Sequence, residues 1–165
     1  MKIAIRLALL AVFAAAAAWF WTVLFPSPQE AIRARLHKMA RDASFDPGQS
    51  QLTALAASEQ LSGFFSTNVE ISLNLPGDEQ RTVTGRDELR QDYMAARLSL
   101  NRLQVDFPDI NVTVAPDRQS AVADLTVRAR TDGDQDGTAE EMKFTFRKIG
   151  GEWLVTRVET VQVLT

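Results

Sequence analysis

The chain has 165 residues, no cysteine and a formal charge of −3. Disulfides and thiolate metal sites are therefore excluded. The charge is unevenly placed: Lys2 and Arg6 are the only charges in residues 1–25, so residues 26–165 carry −5, which argues against a nucleic-acid ligand because phosphate binding needs a basic surface.

Hydrophobicity divides the chain at the same point. Residues 1–25 hold 22 side chains of the hydrophobic class, whereas the following 140 hold 53, close to ordinary globular usage. We therefore expect a membrane-directed segment over 1–25 and a single domain over 26–165, long enough to bury about two thirds of its unfolded surface. Leu7 to Phe25 runs 19 residues without a charge; as a helix it would span about 28 Å, one bilayer crossing. Trp19, Phe20 and Trp21 lie towards its far end, where aromatic rings suit the headgroup boundary, and Pro26 and Pro28 follow as a stop.

Two readings of this segment stand: an uncleaved transmembrane signal-anchor, or a signal peptide cut within Ala14–Ala18. A cut after Ala18 would leave the apolar WFWTVLF at a new N-terminus, which favours the anchor. Lys2, Arg6 and the terminal amine favour an extracytoplasmic domain, periplasmic in a Gram-negative cell. Arg33, Arg35, Lys38 and Arg41 weigh the other way.

Within the body, Ser27-Pro28-Gln29-Glu30 reads as a capping box, and Ile32, Leu36, Met39 and Ala43 repeat at helical spacing up to Asp46-Pro47-Gly48. A second helix is expected after Ser50, carried by Leu52, Leu55, Ala56 and either Glu59 or Leu61 to near Ser62-Gly63. From Thr67 the period becomes two: Val69, Ile71, Leu73 and Leu75 alternate up to the turn Pro76-Gly77-Asp78, and a short strand returns through Val83. A third helix starts in Thr84-Gly85-Arg86-Asp87-Glu88, with Leu89, Tyr93, Ala96 and Leu100 on its stripe.

After it the pattern is strand only. Leu103, Val105 and Phe107 alternate, Pro108 interrupts, and Ile110, Val112 and Val114 resume. Ala121 to Ala129 place alanines, Leu125 and Val127 on one face, with Asp124, Thr126, Arg128 and Arg130 on the other. Met142, Phe144 and Phe146 follow an Asp/Gly-rich loop, and Trp153 to Leu164 follow Gly150-Gly151. Three helices precede or interrupt an antiparallel sheet with one apolar face, which is an α+β class.

This order of elements, with TVTGRDELRQDY opening the third helix and FTFRKIGGEWLVTRVE closing the sheet, resembles the nuclear transport factor 2-like superfamily. That superfamily includes the SnoaL-like and ketosteroid-isomerase-like folds of the cystatin-like α+β type. The resemblance covers residues 28–165 and implies a strongly curved sheet wrapped around a long helix. The conical space between them is an active site in some members, a ligand pocket in others and filled in many. Tyr93, Phe107, Leu125, Met142, Phe144, Phe146 and Trp153, together with Val105 and Val127, are predicted to face this cone. The set is apolar, and is either plain core or the lining of a pocket for an apolar ligand.

Acid–base members of such a family need carboxylates, His or Tyr inside the cone. His37 shares a helical face with Arg33 and Arg41 and reads as exposed. Tyr93 lies on the apolar stripe, where one satisfied hydrogen bond suffices. Asp106 and Asp109 flank Phe107-Pro108, but alternation turns Asp106 outward. With one His and no Cys, neither a Ser-His-Asp nor a Cys-His set can be assembled around that exposed residue, and no phosphate-binding glycine loop is present. Asp132-Gly133-Asp134-Gln135-Asp136-Gly137 copies the start of an EF-hand loop, but position 12 is Lys143 and the flanks read as strands, so an acidic hairpin tip is expected.

No catalytic residue, metal ligand or cofactor is assigned. The expectation is a membrane-tethered, non-catalytic interaction or assembly module, held by residues 7–25, with a homodimer or another membrane protein as partner. Inner-membrane assembly factors of type IV secretion systems provide a precedent for this architecture within the resemblance. The alternative is a SnoaL-like small-molecule-binding domain or enzyme acting on an apolar compound in the cone.

Overall fold

The computed structural model describes residues 11–17, 19, 27–75, 79–133 and 137–161. Residues 11–17 are helical and exposed, with Val12 at 67% and Phe13 at 78%. Apart from Trp19, the rest of the predicted span 7–25 lies outside the described residues, and no described helix is long and apolar enough to cross a membrane.

Helix α1 (Pro28–Ala43) begins where the capping box places it. The Ser27 hydroxyl accepts from the Glu30 N–H at 3.3 Å, and the Glu30 carboxylate accepts from the Ser27 N–H at 3.2 Å. Two orphan donors of the first turn are thereby satisfied. Its stripe buries Ile32, Leu36, Met39 and Ala40. Ser44 ends the helix and ties it to the sheet: its hydroxyl donates to the Ala40 carbonyl at 2.8 Å and accepts from the Val105 N–H at 2.9 Å.

Helix α2 (Gln51–Ser62) starts at Ser50, whose hydroxyl accepts from the Thr53 N–H at 3.2 Å. Its predicted positions are corrected in part: Leu52 is 80% and Leu55 60% exposed and Ala56 is exposed too, whereas Leu61 is buried as one of the expected positions, together with Ser58 and Ser62. The packed stripe is the small-residue one, Ala54, Ala57, Ser58, Leu61 and Ser62, which has the same helical period but lets α2 approach its neighbour closely. The serine hydroxyls are satisfied by their own helix, Ser58 on the Leu55 carbonyl at 2.8 Å and Ser62 on the Glu59 carbonyl at 2.9 Å. They can therefore be buried cheaply, and the leucines are left outside.

Strands β1 (Phe65–Leu75) and β2 (Glu79–Thr84) form the predicted hairpin, with Ile71 opposite Val83; the turn residues 76–78 lie outside the described residues. Gly85 then turns at φ 85°, its N–H bonded to the Val69 carbonyl at 2.7 Å, and starts α3 (Arg86–Ser99). The break at Phe107-Pro108 separates β3 (Leu103–Asp106) from β4 (Ile110–Val114), both of which pair β5 (Ser120–Thr131). Strands β6 (Thr138–Ile149) and β7 (Glu152–Thr160) complete a seven-stranded sheet of order β2-β1-β7-β6-β5-β3, with β4 beside β3 on β5.

The expectation of a wholly antiparallel sheet is corrected at one joint, where β1 and β7 pair in parallel. A parallel pair needs a long crossover, and everything from β2 to β6 lies between these two strands. The helices cover one face of the sheet. Ile32 and Leu36 of α1 meet Val69, Ala123, Phe146 and Val155 from four strands in one buried cluster, all at 0% exposure.

Glycine matters most at Gly137, which closes the acidic β5–β6 tip at φ +71°; a Cβ there would lie 2.7 Å from Arg130 Cγ and 2.8 Å from the Ala129 carbonyl oxygen. Gly150 has φ +60° and open space around it. Gly137→Ala is expected to cost about 1–3 kcal/mol in urea unfolding, clearly more than Gly150→Ala, which carries only the left-handed backbone penalty.

Candidate functional site

The predicted cone-facing residues come together. Tyr93, Phe107, Leu125, Phe144, Phe146 and Trp153 are all buried in the single core cluster, and Met142 packs against it partly buried. Strand pairing accounts for this, because Leu125 lies opposite Met142, Ala123 opposite Phe144 and Ala121 opposite Phe146, and paired residues point to the same face. Small alanines on β5 leave room for the large rings on β6. The Phe107 and Phe144 rings meet with centroids 6.1 Å apart at 57°, a favourable tilted contact.

Polar groups are scarce inside. The buried polar side chains among the described residues are Ser58, Ser62 and Ser66, and Tyr93 is the one buried side chain with an ionisable group. Its hydroxyl donates to the Asp42 carbonyl at 3.2 Å and accepts from Arg97 Nη1 at 2.9 Å. Arg97 lies one helical turn on from Tyr93, places its guanidinium 4.6 Å from the Phe45 ring centroid and also donates to Gln49 Oε1. The i,i+4 spacing of Tyr93 and Arg97 on one helix allows their contact, but the bond to the Asp42 carbonyl requires α1 and α3 to meet.

This cluster closes the inner end of a groove of about 500 Å³ between the α1–α2 connection, α2 and α3, walled by Leu55, Met94, Leu98 and Leu100. Leu98 is 83% exposed there. Tyr93→Phe removes the link between Asp42 and Arg97 but keeps the ring, and is expected to lower the unfolding free energy by about 1 kcal/mol in a denaturant titration.

The remaining candidates lie outside the core. His37 is exposed. Asp106 faces outward and meets Arg128 at 3.6 Å, as alternation predicted. Asp109 lines an open groove of about 740 Å³ on the sheet margin with Asp124, Glu141, Leu125 and Met142. Among the described residues lining it there is no basic side chain or histidine, and Asp109, Asp124 and Glu141 are all exposed. At the β5–β6 tip Asp132 is exposed, while Asp134 and Asp136 lie outside the described residues. Lys143, at the twelfth position of the EF-hand-like stretch, is 3.9 Å from Glu159.

No family model matches the chain, and no curated protein matches it in sequence. Solved structures do match it in shape. An NTF2-like protein with a cystatin-like fold from Novosphingobium aromaticivorans superposes with a TM-score of 0.61 at 17% identity, covering 88% of this chain and 86% of its own. The yeast UBP3-associated protein BRE5 gives 0.58 at 13%, covering 82% and 97%. A protein from N. aromaticivorans, provisionally named a scytalone dehydratase, gives 0.57 at 15%, covering 82% and 83%. The domain therefore has the nuclear transport factor 2-like, cystatin-like α+β fold, and at these identities the likeness extends to the fold alone.

Proposed function

We propose that this chain is a membrane-tethered, non-catalytic module that works through the outside of its domain, as an interaction or assembly element on the extracytoplasmic side. The observation that carries the reading is the composition of the interior: among the described residues no carboxylate, histidine, lysine or arginine side chain is buried as a whole, although the Nε atoms of Arg35 and Arg86 are, and the Tyr93 hydroxyl is already engaged at both its donor and acceptor sites. Acid–base catalysis needs groups whose proton affinity burial can tune, and the one such group in the cone, the Tyr93 hydroxyl, is held by Asp42 and Arg97. The 19 uncharged residues from Leu7 to Phe25 supply the tether.

The outer face of the sheet suits a wet interface. It carries cross-strand charges, Arg157 at 3.7 Å from Glu70 and Lys143 at 3.9 Å from Glu159, with Thr126 and Thr156 half-buried beside them. The yeast neighbour of the same fold is named for its association with another protein, a role of the kind proposed here.

The chain has no cysteine, so Thr126→Cys gives a single crosslinking site on this face. Membranes carrying the full chain should retain it through alkaline carbonate extraction, and a bismaleimide should join position 126 to a second copy or to another membrane protein. Release by carbonate would remove the tether. A strict monomer with no adduct from the outer face would remove the assembly role.

A second reading is favoured by the groove beside Arg97. Apolar walls ending at a guanidinium and the Gln49 amide suit an apolar compound with an acidic end, as for a SnoaL-like binding domain or enzyme. On that reading a medium-chain fatty acid should raise the melting temperature, and Leu98→Glu should abolish the rise.

A further inference from the structure

The two ends of the domain differ in charge. Helix α1 leads from Ser27 to Ala43, about 24 Å for its 16 residues. At the Ser27 end, one cleft is lined by Ser27, Pro28, the β4–β5 turn through Arg118 and Gln119, and Lys148. The Lys148 N–H donates to the Gln119 carbonyl at 2.8 Å, joining that turn to the β6–β7 turn as one platform. The opposite end is fixed by the Phe45–Leu103 bridge and by Leu103 opposite Thr131, next to the Asp132 tip.

Exposed Arg33, Arg118, Arg147 and Lys148 occupy the Ser27 end, and none makes an ion pair among the described residues. The acids beside them are engaged locally. Glu30 accepts from the Ser27 N–H, Asp117 Oδ1 accepts from the Gln119 N–H at 2.9 Å, and Glu152 lies 3.5 Å from Arg35. Towards the far end charges of both signs are left unpaired: exposed Asp132 and Glu141, exposed Arg41 and half-buried Arg130 make no ion pair among the described residues, so that end has no comparable basic excess. Ile149, 47% exposed at the tip of the β6–β7 turn, adds an apolar side chain beside Arg147 and Lys148.

We propose that the Ser27 end docks on the anionic headgroups of the membrane that holds residues 7–25, with Arg118, Arg147 and Lys148 against the lipid phosphates and Ile149 at the boundary with the acyl chains. This rests on the tethering reading above. Only Pro26 and Ser27 separate Phe25 from α1, so this end stays within about 10 Å of the span's end. Basic side chains at that distance are attracted by an anionic leaflet, whereas the far end, with unpaired charges of both signs, is not. Docking therefore sets the orientation of the domain and presents the Asp132 tip and the groove beside Arg97 away from the bilayer.

The test uses the full chain, reconstituted in phosphatidylcholine vesicles with about one third phosphatidylglycerol. Gln119→Cys and Asp132→Cys each give one site for a fluorophore, read against a nitroxide quencher carried on lipid headgroups. The label at position 119 should be quenched at least about two-fold more than the label at position 132. The difference should vanish at about 0.5 M salt, in pure phosphatidylcholine, and in the triple variant Arg118→Glu, Arg147→Glu, Lys148→Glu. The salt arm tests the same attraction without the charge reversals, so it stands if the triple variant fails to fold. Chain that floats with the vesicles while both labels quench alike would overturn the docking and leave the tether. Chain that fails to float would remove the tether, and the docking with it.

Discussion

Phe146→Ala is expected to lower the unfolding free energy by about 3–5 kcal/mol, measured by urea denaturation followed by circular dichroism. Phe146 has no exposed surface. It stands on β6 opposite Ala121 of β5 and Val155 of β7, so its ring fills space that small neighbours leave open and that no adjacent side chain can refill after truncation. The outcome bears on function as well as on stability. A ring that lined a ligand pocket would already face empty space, and removing it would enlarge the pocket at little cost. A loss under about 1 kcal/mol would mean that the cone is not packed as core.

Leu36→Ala should cost about 2–5 kcal/mol in the same measurement. Leu36 is also at 0% exposure, on the stripe of α1 that carries Ile32, Met39 and Ala40. Through this stripe the helix covers the sheet, and Ser44 and Phe45 anchor its end to β3 through the Val105 N–H and the backbone pair with Leu103. Arg33→Ala, one turn away on the exposed side, should change stability by less than about 0.5 kcal/mol. The contrast separates burial from helix propensity, since both substitutions introduce alanine into the same helix.

How much of this was legible in the sequence varied with the kind of signal. The α1 start was readable to the residue because Ser27 and Glu30 form a box whose two bonds are both local. The β5 and β6 faces were readable because a period of two over 12 residues in each strand leaves no second solution. The face of α2 was not, because hydrophobicity alone favours Leu52 and Leu55, whereas close helix packing selects the alanines and the serines whose hydroxyls bond back to their own helix. The parallel pairing of β1 with β7 joins strands far apart in the chain and leaves no local trace. Of the site, Tyr93 and the aromatic set were legible as apolar positions. The Arg97 contact follows the i,i+4 spacing of α3, but the bond of the Tyr93 hydroxyl to the Asp42 carbonyl depends on how α1 and α3 meet, which no spacing within one helix encodes. The basic Ser27 end was hidden for the same reason: Arg118, Arg147 and Lys148 are dispersed in sequence and brought to one end only by the fold.

The interior is packed protein, and the function proposed above lies on the outer surfaces of the domain. Native mass spectrometry of the full chain, released from its own membranes in mild detergent, tests it most directly. The masses should equal those of the bare chain, its oligomers or its complexes with another protein, with no small molecule retained. A bound compound of a few hundred daltons that is released on unfolding, and excluded by Phe107→Trp, would contradict it and move the function into the cone.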